Sequence, residues 1–274
     1  MRTIRASMLP GYNDCPRRAA AKQYPELLRS IGCASRPMLP SIGAAVGTAT
    51  HAAAEVLFRA RMADPGASLD VLAAVAVASE KLREEIATGA EWDATTPNLQ
   101  AAEYQLARLV QACLPLVVAE EPAAVELHLR ARVAEGWELT GHVDLLTQAG
   151  HLDDLKTGSV KRPYQAQLGA YSLLARANGL EIRSVGITWV QRGRRTKPQP
   201  PMERYRYEVE SAERAAWATA QAICRDVEAF ETEGDPEAFR ANPMSLMCSR
   251  RYCPAFGTPF CSMHPAEERD HVVD

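Results

Sequence analysis

The sequence predicts an α/β protein built on a central sheet. Three observations predict it. Long early segments carry apolar residues at helical intervals, a run of short alternating segments follows, and helical spacing then returns between further alternating segments. The order is helices, a strand meander, a helix, a strand, then a helix and an irregular tail.

Residues 7–31 hold Cys15-Pro16-Arg17-Arg18 and then an Ala-rich, helix-like stretch. A helix is predicted over 43–62, opening at Gly43 and carrying Val46, His51, Val56, Leu57 and Phe58. A second spans 69–89, with Asp70 in the N-cap region. A third, over 98–120, places Leu99, Leu106, Leu109, Val110 and Cys113 at helical intervals. The period then changes. Segments 124–133, 137–147 and 150–156 are short and alternate, as strands do. Helical spacing resumes over 163–178, and a strand follows at 183–190. A basic, Pro-rich loop occupies 192–201 and segment 203–209 alternates again. The last helix, 211–231, has Ala215, Ala218, Ala222 and Val227 on its expected buried side. After Asp235 the chain is irregular and carries a group of cysteines. No internal repeat is visible.

The 274 residues suit one large domain or a domain with an appended lobe, and 47% hydrophobic residues supply a packed core. The formal net charge of −3 gives no global attraction to nucleic acid, so any such affinity must come from local basic patches. The longest apolar run, Val71 to Ala78, is far short of a membrane span. Met1-Arg-Thr-Ile-Arg-Ala-Ser lacks the apolar region of a secretory signal, so a cytoplasmic location is expected. The seven cysteines, an odd count, argue against a disulfide framework in such a compartment. Cys248, Cys253 and Cys261 lie close together in sequence, which points to ligation of a metal or cluster.

The chemistry is expected on the strand meander. Glu138-Leu-Thr-Gly-His-Val-Asp144 and Asp153-Asp154-Leu155-Lys156-Thr157-Gly158 flank Gln148-Ala149-Gly150, which suits a hairpin turn. Asp154 and Lys156 stand two apart on one strand and share a face, with Asp153 and Leu155 on the other. Asp144, near the end of the neighbouring strand, can join that face. Two carboxylates and a lysine form a phosphodiester-cleaving arrangement. Hard oxygen ligands suit Mg²⁺ or Mn²⁺, and the backbone carbonyl of Leu155 can add another. Asp-x-Lys alone is a common surface ion pair; its surroundings set this one apart. On the next helix Gln167 and Tyr171, four apart, share a face from which they could bind phosphate or brace the lysine. His51, within Gly47-Thr-Ala-Thr-His51, can add a neutral nitrogen. Arg192, Arg194, Arg195 and Lys197 form the densest positive stretch, a loop able to track DNA phosphates.

With these residues in order, the sequence resembles a RecB-type nuclease of the PD-(D/E)XK superfamily. That group includes the AddB nuclease domain, the CRISPR-associated adaptation exonucleases and many phage exonucleases. The resemblance rests on Cys15-Pro16, His51, Gly141 to Asp144, Asp154 to Gly158, Gln167 to Tyr171 and the terminal cysteines. It implies a restriction-endonuclease-like mixed sheet flanked by helices, in a single domain over 1–274. A helical insertion at about 60–120, a nuclease core at about 124–210 and a cysteine tail at about 240–264 would make it up. It implies that His51, Asp144 and Asp154 bind the catalytic Mg²⁺ or Mn²⁺, that Lys156 is the catalytic lysine, and that Gln167 and Tyr171 complete the motif. Val143 stands where the superfamily's name has proline. The implied activity is exonucleolytic cleavage of single-stranded DNA or duplex ends, in recombination, repair, phage DNA processing or CRISPR adaptation. A catalytically silent DNA-binding scaffold and an RNA-directed nuclease are the alternatives. In similar nucleases an N-terminal cysteine joins three C-terminal ones around a [4Fe–4S] cluster, so Cys15, Cys248, Cys253 and Cys261 are the implied ligands. The C-terminal spacing is wider than the usual grouping. A Zn²⁺ site on the same thiolates, or His264 in place of one, stays open.

Overall fold

The computed structural model of the chain describes residues 1–66 and 68–263. It is a mixed α/β fold with a six-stranded central sheet flanked by helices, as the sequence predicts. The chain opens with β1 (Arg2–Arg5), followed by the short helices α1 (Leu9–Asp14), α2 (Pro16–Gln23) and α3 (Pro25–Ser30). Three long helices follow: α4 (Ile42–Ala63), α5 (Val71–Glu85) and α6 (Leu99–Ala119). Each begins at a residue whose side chain takes up an orphan N–H of the first turn: Ser41, Asp70 and Asn98 accept from Ala44, Ala73 and Ala101. The sheet continues with β2 (Pro122–Ala134), β3 (Trp137–Thr147) and β4 (His151–Lys156). Then come α7 (Gln165–Ala177), β5 (Ser184–Trp189), β6 (Glu203–Tyr207) and α8 (Val209–Glu233).

Strand β3 organises the sheet. Antiparallel β2 pairs along its length. On its other side β1 runs parallel to Trp137–Thr140, and β4 pairs antiparallel at Leu145 and Leu146. Parallel β5 then joins β4, and antiparallel β6 joins β5. The sequence reading missed β1 because four residues, Arg2-Thr-Ile-Arg, are too few to establish a period. Within 7–31 the helix-like stretch expected after Cys15-Pro16-Arg17-Arg18 is divided among short helices. The breaks fall before Pro16 and Pro25, each of which starts a new helix where its missing N–H costs nothing.

Apolar side chains fill both faces of the sheet. On one, Leu139, Val143, Leu152 and Ile187 pack with Leu168 and Leu174 of α7 and with Ile223 and Phe230 of α8. On the other, Val125, Leu145 and Leu155 pack with Leu57 and Phe58 of α4 and with Leu106 and Leu109 of α6. The buried side of α8 matches the expectation at Val227 and, half-buried, at Ala215 and Ala222, but not at Ala218. Ala212, Ala216, Ala220, Ile223, Val227 and Phe230 are inside, whereas Ala218 is exposed. The alanine-rich stretch supports a stripe in either register, and only the larger Ile223 and Phe230 distinguish them. The tail is held by Phe239 and Phe260, whose rings pack on Phe230 at centroid distances of 5.3 and 5.6 Å.

Candidate active site

Strands β3 and β4 pair at only two positions before they part, the last being Leu145 opposite Asp153. The next β4 N–H on that side belongs to Leu155. It finds no β3 carbonyl and donates instead to Asp144 Oδ2, at 2.6 Å. The fork therefore holds the Asp144 carboxylate at its crotch. In an extended strand a residue's N–H and C=O point the same way, so the Leu155 carbonyl faces the same gap.

Three elements converge there. Helix α4 brings His51, whose Nδ1 lies 3.3 Å from Asp144 Oδ1 and 3.9 Å from Glu126 Oε1. It comes this close because Gly47, one turn earlier, sits against Thr157: a Cβ at Gly47 would stand 3.1 Å from Thr157 Oγ1. Strand β2 brings Glu126 opposite Asp144, where the pairing passes from Val125–Leu145 to Leu127–Val143. Glu126 has φ +50°, the single positive value among the described non-glycine residues. This left-handed backbone costs about 1–2 kcal/mol and lies beside the cleft. His51, Glu126 and Asp144 each offer a ligand atom, all within 4.8 Å of one another. Phe58 and Leu116 form an apolar wall to the cleft.

The sequence reading brought His51 and Asp144 to one place but did not include Glu126. Glu126 is the one acid of β2, but its approach to Asp144 depends on a left-handed backbone that no sequence period marks.

Strand β4 supplies Asp154 and Lys156. Lys156 Nζ lies 2.5 Å from Asp154 Oδ2, an ion pair whose angle is not that of a hydrogen bond. Gln167 Nε2 reaches Asp154 Oδ1 at 3.3 Å and Tyr171 Oη at 2.8 Å. Gly141 makes room for this helix face: a Cβ there would lie 2.7 Å from the Tyr171 ring. Lys156 also sits over the Tyr164 ring, 4.8 Å from its centroid. Asp153 also lines the cleft, but its carboxylate is buried and held by Arg204 and Arg206 at 2.7 and 2.8 Å.

These neighbours set opposite protonation tendencies. Burial pushes the Asp154 carboxyl up, with help from Asp144 and against Lys156, to about 6. Asp144 is held below the usual carboxylate range, because His51, Lys156 and the Leu155 N–H outweigh its burial. Burial, then Asp144, raise Glu126 to about 7. His51 is buried against charge, yet Asp144 lifts it to about 9. Lys156 is likewise opposed by burial, but Asp154 and Asp144 hold its ammonium above the usual lysine value. A pocket of carboxylates that resist joint ionisation is electrostatically short of positive charge.

The basic loop divides. Arg192 is buried: it donates to Thr96 Oγ1 at 2.5 Å and pairs with Asp93 at 2.8 Å. The expectation that Arg192 tracks phosphate is corrected, since its guanidinium ties the loop to the segment before α6. Arg194, Arg195 and Lys197 are exposed, with Arg195 over the Tyr104 ring at 5.7 Å. Arg17 and Arg18 are also buried.

Cys15, Cys248, Cys253 and Cys261 line one cavity between the start of α2 and the tail. None forms a disulfide. Cys253, raised by burial to about 11, also lies within electrostatic reach of Cys15, Cys261 and Cys248. His264, the alternative ligand, lies outside the described residues. Cys113 is buried in α6, whereas Cys33 and Cys224 are half-buried.

A profile of the PD-(D/E)XK nuclease superfamily matches residues 4–256. The chain belongs to the PD-(D/E)XK nuclease superfamily. Among solved structures it is similar to a candidate exonuclease from Eubacterium rectale, with 13% identity, 70% of this chain and 71% of that one covered, and a TM-score of 0.42. It is also similar to the protein SSO0001, with 11% identity, 71% and 81% covered, and a TM-score of 0.27. No curated protein matches the sequence significantly. No described helix of this superfamily member is long and apolar enough to cross a membrane.

Proposed function

We propose that the protein is a Mg²⁺- or Mn²⁺-dependent DNA exonuclease that hydrolyses phosphodiester bonds of single strands or duplex ends. The observation that carries this reading is the trio His51, Glu126 and Asp144 at the fork, with Asp154 and Lys156 beside it. The donor set, carboxylate oxygens plus one imidazole, fits a hard divalent cation, and the Leu155 carbonyl faces the same gap. When bound, the cation supplies Lewis acidity at the scissile phosphate and acidifies water. His51, Asp144 and Glu126, with Asp154 beside them, would hold it. Lys156, kept protonated by Asp154, orients the attacking water and offsets charge gathering on the phosphate. Gln167 and Tyr171 fix the Asp154 carboxylate, and with it the lysine. Arg194, Arg195 and Lys197 hold the strand through its phosphates.

Cys15, Cys248, Cys253 and Cys261 line one cavity, while no three of their sulfurs lie within 4.8 Å of one another; this suits the wider span of a [4Fe–4S] cluster, which is our reading, with Zn²⁺ as the alternative. The pathway that uses the nuclease is recombination, repair, phage DNA processing or CRISPR adaptation. The test is digestion of end-labelled linear DNA, the same DNA circularised, and matched RNA, each with Mn²⁺. Mononucleotides or short oligonucleotides released from linear DNA alone support the proposal. Cleavage of circles, or of RNA in preference to DNA, overturns the exonuclease or the DNA assignment.

A further inference from the structure

The cavity lined by the four cysteines has a fifth wall, Arg18. Its exposure is 8%. One nitrogen, Nη2, pairs with Asp14 Oδ2 at 2.7 Å. The other, Nη1, is buried and has no hydrogen-bond partner. The adjacent Arg17 shows what satisfaction looks like in the same helix: its Nε and Nη2 donate to the carbonyls of Phe239 and Pro236, and Nη2 pairs with Glu237. A guanidinium donor left unpaired in the interior is costly, and proteins rarely leave one so. Arg18 and Cys248 face the same cavity.

We propose that Arg18 is the built-in counter-cation of a dianionic metal–tetrathiolate centre, its free Nη1 directed at a sulfur of that centre. The inference rests on the reading of the four cysteines as metal ligands. It holds for either occupant, since four thiolates around a [4Fe–4S]²⁺ core or around Zn²⁺ leave the same net double negative charge. Burying that charge without a partner is unfavourable, and a fixed guanidinium offsets it. Asp14 also accepts from Ser245 Oγ at 2.7 Å and so ties the tail to the start of the helix that carries Arg18.

The test uses the full chain, purified anaerobically, as wild type, Arg18→Gln, Arg18→Lys and Asp14→Asn. Iron, sulfide and zinc are assayed, then metal release to excess chelator is timed and melting is followed with and without the centre. Arg18→Gln is expected to release metal at least about tenfold faster. Its melting loss is expected to be larger in the loaded than in the metal-free protein. Arg18→Lys should retain most of the protection, and Asp14→Asn, which loosens the tail but leaves the guanidinium in place, should speed release less than Arg18→Gln. If the centre is iron–sulfur, Arg18→Gln should also shift its one-electron reduction about tenfold toward the oxidised form, or about 59 mV. Equal melting losses in both forms, with unchanged release, would leave Arg18 a structural partner of Asp14 and overturn the inference while the centre stands. Wild-type protein that contains no iron, sulfide or zinc after reconstitution overturns the centre itself, and Arg18's role with it. Should Arg18→Gln not fold, the same loaded-against-free comparison on Arg18→Lys decides, with a smaller difference expected.

Discussion

At the residue scale the site is defined by carboxylates that oppose one another. Asp154 has a folded pKa of about 6 against an ordinary 3.8. The folded state therefore binds this proton more tightly than the unfolded state. Its contribution to stability is present below about pH 4 and is lost as pH rises toward 6, so at neutral pH the ionised Asp154 destabilises the metal-free protein. Asp154→Asn is predicted to stabilise the metal-free protein by about 1–3 kcal/mol at neutral pH, read by urea unfolding, while abolishing turnover. A loss of stability would show that the Lys156 pair outweighs the cost of burial. Glu126, strained and opposite Asp144, gives a second prediction. Glu126→Gln should weaken Mn²⁺ binding by calorimetry about 10–100-fold if its carboxylate is a ligand or orients one; unchanged affinity would remove it from the metal site.

At the element scale the fork between β3 and β4 is the decisive feature, and only part of it was legible in the sequence. The hairpin, the shared face of Asp154 and Lys156, and the helix carrying Gln167 and Tyr171 follow from periodicity and turn residues. The early parting of the strands does not, because it depends on which side chain takes the Leu155 N–H. Glu126 was missed for the same reason: its backbone is set by tertiary context and no sequence period marks a left-handed residue in a strand. Arg192 was misread because a basic run carries no information on which member turns inward. That difference is testable. Arg192→Ala removes a buried partner of Asp93 and should cost about 2–4 kcal/mol of unfolding free energy. Alanine at Arg194, Arg195 or Lys197 should stay within about 0.5 kcal/mol and instead flatten the salt dependence of DNA binding.

At the scale of the whole molecule, the two helical layers bring distant parts of the chain to two centres. His51 from the early helices meets Asp144 from the sheet, and Cys15 from the N-terminal part meets the tail. The order of these parts was readable from the motifs; the distances between them depend on packing. The catalytic centre as a whole predicts a pH signature. In the metal-free protein His51, raised to about 9, adds stability that is full below about 6.5 and fades as pH rises through 9, while Asp154 and Glu126 lose theirs at lower pH. Metal-free stability should therefore fall from about pH 5 to about pH 9. Cation binding requires the deprotonated ligands, so the melting-temperature gain from Mn²⁺ should grow over the same range. A gain that shrinks as pH rises would contradict the ligand set.

The most direct measurement is the rate of release of label from end-labelled linear DNA by wild type and Asp154→Ala, with Mn²⁺ and with chelator. The account predicts turnover by wild type only with the cation, and a loss of at least about 1,000-fold in Asp154→Ala. Equal background rates in the two proteins, with the cation present, would contradict it.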